Sequence, residues 1–175
     1  MAIRAYKDIT PKIAASAYVD ESAVVIGDVV IGDDSSIWPL CAVRGDTNTI
    51  RIGRRSNLQD GSVIHVTHRY EAAPQGYPVV IGDDVTIGHK VLVHGCTIED
   101  RVLIGMGSTL MDGAIIRSEV LLGAGSLVVE GQELEGGYLW MGRPVRRRRV
   151  LTDEERSWFT YVAKHYADLK NDYLR

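Results

Sequence analysis

Three of the five histidines in this 175-residue chain, His65, His89 and His94, lie close together in the sequence. Neutral imidazole is a preferred ligand of Zn²⁺, and three imidazoles with one open coordination position form the ligand set of a catalytic zinc site. Histidines can also do no more than complete hydrogen bonds at the corners of a fold. Which role applies depends on whether the fold brings the three rings together.

The elements that must position these histidines are indicated by a period of six residues. Aliphatic side chains recur at this spacing over most of the chain, and a small residue such as Gly32, Gly53 or Gly82 often follows. Neither an α-helix nor an ordinary β-sheet has this period, whereas a triangular coil of three short strands has it. The repeated aliphatic residues are Ile13, Val19, Val25, Ile31, Ile37, Val43, Ile52, Leu58, Ile64, Ile81, Ile87, Val93, Ile98, Ile104, Leu110, Ile116, Leu122 and Val128.

This repeat resembles that of the hexapeptide-repeat, left-handed parallel β-helix proteins. The resemblance implies an all-β solenoid over residues 10–132, with about six coils that bury their aliphatic side chains in a narrow prism. We expect a single domain spanning 1–175. A connector is predicted at 133–151, because Gly136-Gly137 and Gly142-Arg143-Pro144 break the strand pattern.

A C-terminal α-helix, packed alongside the prism, is predicted for residues 152–174. Thr152 and Glu155 form a capping-box pattern at its start. The apolar residues that follow recur at intervals of three and four, which predicts one buried face of an amphipathic helix. These residues are Trp158, Val162, Tyr166, Leu169 and Tyr173.

Two interruptions of the period predict insertions. Three residues are extra between Val43 and Ile52, around Asp46. A longer step between Ile64 and Ile81 predicts a projecting loop at 68–78. Insertions in a solenoid form loops on its surface, and such loops often carry function.

Counting steps of the repeat places polar residues in register. Arg44, His65 and His94 directly follow aliphatic residues on the same side of the prism, so His65 and His94 are predicted to lie one rung apart, near enough to share a metal. Asp60 and His89 stack on the preceding side, and within one chain His89 would lie a full prism edge away. Only a second copy of the chain could bring His89 to the pair, which favours a three-fold trimer with metal sites between protomers.

The motifs around these positions resemble those of the γ-class carbonic anhydrases and their bacterial carbonic-anhydrase-like relatives. The matching stretches are Arg44-Gly45-Asp46, the run NLQDGSVIH at 57–65, Ile87-Gly88-His89, and His94-Gly95. The resemblance implies a homotrimer that binds Zn²⁺, or Fe²⁺ or Co²⁺. The metal would be held by His65 and His94 of one protomer and by His89 of its neighbour.

The resemblance also implies roles for the polar neighbours of the histidines. Gln59 would hydrogen-bond the metal-bound solvent, and Asn57 would line the pocket. Arg44, Asp46 and Asp60 would form an ion-pair cluster at the interface. The implied reaction is the reversible hydration of CO₂ to bicarbonate by a metal-bound hydroxide, which a metal can generate near neutral pH.

The proton-transfer groups differ from those of the archaeal prototype of that family. Thr47 follows Asp46 where the prototype has acidic residues near its pocket, and the loop at 68–78 is short. Glu71 and His68 are therefore the candidates for a proton shuttle. We expect metal binding with at most modest hydratase activity.

Charge and composition argue against several other classes of protein. The chain has 20 Lys and Arg against 23 Asp and Glu, a net charge of −3, which argues against nucleic acid and anionic membranes as partners. No stretch approaches the roughly 20 apolar residues that span a membrane. Two cysteines are too few for a disulfide framework, so we expect a cytoplasmic protein.

Two other functions stay open on the sequence. One is a hexapeptide-repeat, acyl-CoA-dependent acyltransferase, which would use one histidine as a general base. The other is a non-catalytic trimeric protein for metal binding or assembly. A single base would not require three histidines in two stacked layers, which favours the metal-dependent lyase.

Overall fold

A computed structural model describes residues 2–174, in which short strands wind around a triangular prism and an α-helix follows them. Most strands pair in parallel with the corresponding strands of the neighbouring coils. The elements are β1 (Ala2–Arg4), β2 (Lys12–Ile13), β3 (Tyr18–Val19), β4 (Val24–Ile31), β5 (Ser36–Ile37), β6 (Ala42–Ile52), β7 (Asn57–Leu58), β8 (Val63–His65), β9 (Val79–Ile81), β10 (Thr86–Ile87), β11 (Leu92–His94), β12 (Thr97–Ile98), β13 (Leu103–Ile104), β14 (Thr109–Leu110), β15 (Ile115–Ile116), β16 (Leu121–Leu122), β17 (Leu127–Val128), β18 (Glu133–Leu134), β19 (Tyr138–Gly142), β20 (Val145–Val150) and α1 (Asp153–Tyr173).

The prism has three faces. On the first face, β8, β11, β14 and β17 stack on the first part of β6, which itself stacks on β4 and β1. On the second face, β9, β12, β15 and β18 stack on the last part of β6. The third face is an eight-stranded sheet that runs from β3 to β19 in parallel and ends with the antiparallel strand β20. Each coil therefore contributes one strand to the third face, then one to the first and one to the second.

The repeated aliphatic side chains fill the interior of the prism. Those from Val25 to Val128 are all buried, with at most 6% of any residue exposed. Ile13 and Val19, near the N-terminal end, are partly buried. Burial stabilises each such side chain by about 1.5–3 kcal/mol, and every coil adds three of them. The predicted left-handed β-helix of hexapeptide repeats is confirmed.

The solenoid extends beyond the predicted residues 10–132 at both ends and makes about eight turns rather than six. Strand β1 pairs with β4 before the first repeat. The predicted connector at 133–151 begins with β18 and β19, which stack on β15 and β16. Leu134 and Trp140 continue the spacing of six from Val128, and the two glycines at 136–137 form a corner instead of ending the coil.

Helix α1 begins where the capping box predicts it. The Thr152 side chain accepts a hydrogen bond from the Glu155 backbone N–H, and the Glu155 carboxylate accepts one from the Thr152 N–H. The helix contacts β3, β5, β7 and β10 and so covers the third face. No helix within residues 2–174 is long and apolar enough to cross a membrane.

The buried face of α1 is rotated from the predicted one. Phe159, Ala163 and Lys170 are the buried positions, whereas Trp158 and Tyr173 are more than half exposed. The physical reason is that Lys170, a charged residue, turns inward and its ammonium lies 3.1 Å from the Asp34 carboxylate. A pattern built on apolar residues alone does not include that position.

We expect Thr152→Ala to lower the free energy of unfolding by about 1 kcal/mol, because the first turn of α1 loses its side-chain cap. Chemical denaturation followed by far-UV circular dichroism measures the change. Ser157→Ala is the matched control, since Ser157 lies inside the helix and its hydroxyl donates to the Glu154 carbonyl. An equal loss in both variants would show that the cap contributes nothing specific.

Candidate metal centre

Both predicted insertions lie at the corner where the first face turns into the second. The pairing of β4 with β6 steps from Gly27 opposite Gly45 to Val29 opposite Ile50, so β6 carries the extra residues there. The loop at 68–78 projects beside them. The Asn48 side-chain amide donates to the carbonyl oxygens of Thr67, at 3.0 Å, and Gln75, at 2.8 Å. These two hydrogen bonds attach the loop to the extra residues of β6.

Strand pairing brings two of the three candidate ligands together at this corner. Arg44 pairs with His65, and His65 pairs with His94, in three successive rungs of the first face. The Nδ1 atom of His65 lies 3.1 Å from the Nε2 atom of His94. Two nitrogens bound to one tetrahedral Zn²⁺ would lie about 3.3 Å apart, so the observed spacing fits a shared metal.

Two carboxylates fix the outer nitrogens of the same rings. The Oδ1 atom of Asp46 lies 3.1 Å from His65 Nε2, and the Oδ1 atom of Asp112 lies 2.6 Å from His94 Nδ1. The second oxygen of Asp112 accepts a hydrogen bond from the Thr67 hydroxyl at 2.5 Å. Carboxylates in this position orient histidine ligands and make them more basic.

The electrostatics of this corner favour the protonation states that bind metals. Burial lowers the pKa of His65, and the positive charge of Arg44 lowers it further, although Asp46 acts in the opposite direction. Burial alone would raise the pKa of Asp46, but hydrogen bonds from Arg44 and His65 outweigh it and lower that pKa. A neutral imidazole beside an ionised carboxylate is the form that a metal ligand requires.

The contacts Asp46–His65, His65–His94 and His94–Asp112 also favour a cation between the two rings. Hydrogen bonds at all three contacts would need three protons, whereas two neutral imidazoles carry two. If each ring donates to its own carboxylate, two lone pairs face each other between His65 and His94. A divalent metal satisfies both lone pairs, so the donor set fits the metal that the resemblance implies.

His89 lies at the opposite edge of the first face. It follows β10, and its Nδ1 atom lies 3.0 Å from the Asp60 carboxylate, with both side chains nearly half exposed. His94 is the last residue of β11, the strand that follows His89 along the chain. Among residues 2–174, no group of three or more His, Cys, Asp or Glu side chains converges closely enough to hold a metal. One chain thus pairs His65 with His94 and leaves His89 at another corner.

Gln59 and Asn57 lie on the His89 side of the molecule. Both are buried, and the Gln59 amide donates to the Asn57 side-chain oxygen at 3.1 Å. The Asn57 amide in turn donates to the Thr86 hydroxyl at 2.9 Å. Gln59 and His89 line a cavity of about 530 Å³ between the third face and α1, whose wall includes Tyr161.

The remaining predicted residues lie around the two corners. Arg44 forms an ion pair with Asp46, while Asp60 pairs with His89 within the chain. Glu71 and His68 are exposed on the loop at 68–78. In the described part of the chain, no hydrogen bond or ion pair joins these two side chains to the site histidines.

Asp112 and Thr67 are not among the residues predicted from the sequence. The register that stacks Arg44, His65 and His94 extends one coil further, where β14 pairs with β11 and Leu110 lies opposite Val93. Asp112 follows two positions after Leu110 and therefore reaches the same corner as His94.

Gly95 makes the approach of Asp112 possible. The residue has a φ of +52°, a conformation that favours glycine. A Cβ atom here would overlap the Asp112 carboxylate and lie 2.6 Å from Tyr77 Cβ. The His94-Gly95 pair thus places the ligand and admits its carboxylate partner at one corner.

Known proteins resemble this chain in fold and in sequence. The model of the hexapeptide repeat of succinyl-transferase matches residues 78–110 and 95–130. A crystal structure of a hexapeptide transferase family protein from Anaplasma phagocytophilum superposes with a TM-score of 0.92, at 35% identity, over 98% of each chain. Fold and repeat define a hexapeptide-repeat protein.

Proteins of similar sequence indicate which family of hexapeptide-repeat proteins the chain belongs to. The protein YrdA of Escherichia coli is 54% identical over 98% of this chain and 94% of its own length. A carbonic anhydrase of Geobacillus kaustophilus is 40% identical over 97% of this chain and 89% of its own. The chain belongs to the family of γ-class carbonic anhydrases and carbonic-anhydrase-like proteins within the hexapeptide-repeat superfamily.

Proposed function

We propose that the protein is a metal-dependent γ-class carbonic-anhydrase-like lyase that converts CO₂ and water reversibly to bicarbonate. The observation that carries this proposal is the 3.1 Å separation of His65 Nδ1 and His94 Nε2, with each outer nitrogen held by a carboxylate. Relatives named carbonic anhydrase support it. Two free, buried cysteines are compatible with the cytoplasmic location that we propose.

His65 and His94 of one protomer and His89 of a second would hold the metal. The resemblance to the family implies that this metal is Zn²⁺, with Fe²⁺ or Co²⁺ as alternatives. When bound, such a metal lowers the pKa of a coordinated water to about 7 and so supplies hydroxide at neutral pH. The chain's own contribution is to fix the imidazoles. Asp46 and Asp112 hold the rings of one protomer, and Asp60 holds the ring of His89 at 3.0 Å.

The position of His89 supports the homotrimer that we propose. His65 and His94 lie at one edge of the first face and His89 at the other, so a neighbouring chain would complete the site. Arg44 and Asp60 are each nearly half exposed in the single chain. Half-exposed charges at these two edges suit the ion-pair cluster of Arg44, Asp46 and Asp60 that we propose across the interface.

Gln59 and Asn57 are the proposed substrate-positioning pair. Asn57 fixes the Gln59 amide through a buried hydrogen bond, and Gln59 faces the same cavity as His89. A preorganised amide can hydrogen-bond an oxygen on which negative charge develops as bicarbonate forms. Glu71 and His68 remain the proposed proton-transfer groups, on the loop that Asn48 fastens beside the site.

An acyltransferase is the second candidate, and one observation favours it. The cavity of about 530 Å³ beside His89 is far larger than CO₂ requires, and apolar side chains such as Met106 and Trp158 line it. Such a cavity could admit an acyl chain, with His89 as the general base. Measuring acetyl-CoA turnover beside CO₂ hydration distinguishes the two functions, and a metal-loaded protein inactive in both assays would be a binding or assembly protein.

Gln59→Ala tests the lyase directly. We expect metal content, measured by elemental analysis, to equal that of the wild type, while the rate of CO₂ hydration falls about 100-fold, because one hydrogen-bond donor is removed but no ligand. Gln75→Ala is the matched control, since the exposed Gln75 contributes only its backbone carbonyl to the bond with Asn48. Wild-type protein that contains no metal and hydrates no CO₂ would refute the proposed function.

A further inference from the structure

The ring of His94 is held at both of its nitrogens. Its Nε2 atom faces His65 at 3.1 Å, and its Nδ1 atom lies 2.6 Å from the Asp112 carboxylate. Asp112 is itself fixed, because its second oxygen accepts the Thr67 hydroxyl at 2.5 Å. Four-fifths of the Asp112 side chain is buried, so water competes little for these bonds.

We infer that Asp112 is a positioning residue that selects the Nδ1–H tautomer of His94 and aims its Nε2 lone pair at the metal. The inference rests on the proposed function, in that His94 is taken as a ligand. It goes beyond that proposal because Asp112 contacts no substrate and is absent from the motifs that carry the resemblance.

The geometry explains why this role is specific to Asp112. A carboxylate can only accept a hydrogen bond, so His94 Nδ1 has to carry the proton and Nε2 is left as a lone pair. Without Asp112 the ring can protonate at Nε2 or turn about its side-chain bond. Loss of such a partner typically weakens metal binding by about 10-fold to 100-fold.

Thr67 extends this arrangement to the loop. Its hydroxyl bonds Asp112, and its backbone carbonyl accepts the Asn48 amide that also bonds Gln75. Asp112 therefore joins the strand β14 side of the corner to the base of the loop at 68–78. Removing the Thr67 hydroxyl should loosen the carboxylate without removing it.

The experiment uses the assembled protein and four variants of it. Asp112→Ala removes the acceptor, and Asp112→Asn keeps a carbonyl oxygen that can still accept the Nδ1 proton. Thr67→Val removes only the support of Asp112. Glu130→Ala is the matched control, since the exposed Glu130 lines the same cavity of about 260 Å³ as His94 and Asp112. Zn²⁺ affinity is measured by competition with a chelator, and the His94 tautomer by ¹⁵N NMR of the metal-free protein.

We expect Asp112→Ala to bind Zn²⁺ about 10-fold to 100-fold more weakly than the wild type, with Asp112→Asn recovering part of the loss. Thr67→Val should lose a few-fold and Glu130→Ala less than two-fold. The His94 resonances should indicate Nδ1–H in the wild type and shift toward Nε2–H in Asp112→Ala. A merely structural role would leave the tautomer unchanged.

Two results would overturn the inference. One is an unchanged tautomer in Asp112→Ala, and the other is an equal loss of Zn²⁺ affinity in Asp112→Ala and Glu130→Ala. Wild-type protein without affinity for Zn²⁺ would refute the proposed function instead. The tautomer measurement would then decide the role of Asp112 alone, because it needs no metal.

Discussion

Alanine at His65, His89 or His94 is expected to lower the affinity for Zn²⁺ by about 100-fold or more and to abolish CO₂ hydration. Zinc sites with four ligands bind with about 10–16 kcal/mol, or roughly 3 kcal/mol for each ligand. Each 1.4 kcal/mol is a factor of ten in affinity, which gives the expected loss. Elemental analysis after dialysis against a weak chelator measures retained metal.

The three histidines should behave alike although they lie at two corners of the chain. His165→Ala is the matched control, because this histidine is exposed on α1 and stacks on Tyr161. It should retain the wild-type metal content. Metal retained by His89→Ala at the wild-type level would show that His65 and His94 bind it without a second protomer, and would contradict the proposed site.

The fold could be predicted from sequence because one physical rule repeats. Every sixth residue has to fill a narrow prism, and only aliphatic side chains of similar size fit, so Ile, Leu and Val mark each coil. The ends were harder to predict. The side chain of Trp140 continues the period but differs in size from the other repeat residues, and β1 precedes the first recognisable repeat.

The start of helix α1 was predictable from the local sequence, whereas its buried face was not. Its start depends on two residues in sequence, Thr152 and Glu155, and was predicted correctly. Its buried face depends on what the third face offers, and there Asp34 attracts Lys170 into the interface. Tyr173 packs its ring against Trp38, with centroids 5.1 Å apart, while more than half of the residue stays exposed.

The candidate site was predictable as far as strand register determines it. Strand pairing confirms that Arg44, His65 and His94 occupy three successive rungs. Side-chain orientation was not predictable, because the count fixes where a residue lies but not which of its atoms faces which neighbour. Asp112 shows the consequence, since only the 2.6 Å contact with His94 Nδ1 reveals its relation to the site.

Because the histidines lie at two corners of the chain, we expect two variants that are inactive alone to restore metal sites when they are combined. In the proposed three-fold ring each site would take His65 and His94 from one chain and His89 from the next. A His89→Ala chain then supplies a good pair, and a His65→Ala chain supplies a good His89. Each variant alone should contain no intact site.

Mixed trimers of these two variants should regain metal. Every trimer that contains both variants has one site with the required neighbours, so about one third of the sites in the mixed assemblies should hold metal. Co-expression with two different affinity tags isolates the mixed assemblies for zinc analysis. Carbonic anhydrase activity, if the lyase proposal holds, should return in the same proportion as the metal.

The control mixes His65→Ala with His94→Ala. Both substitutions then affect the same pair of ligands. His65 and His94 have to come from one chain, because they face each other across 3.1 Å within a protomer. No arrangement of these chains restores a site, so this mixture should stay free of metal. Equal recovery in both mixtures, or recovery in neither, would contradict the assignment of His89 to a neighbouring chain. Recovery in the first mixture alone requires a site built from two protomers, because no single chain in it carries all three ligands.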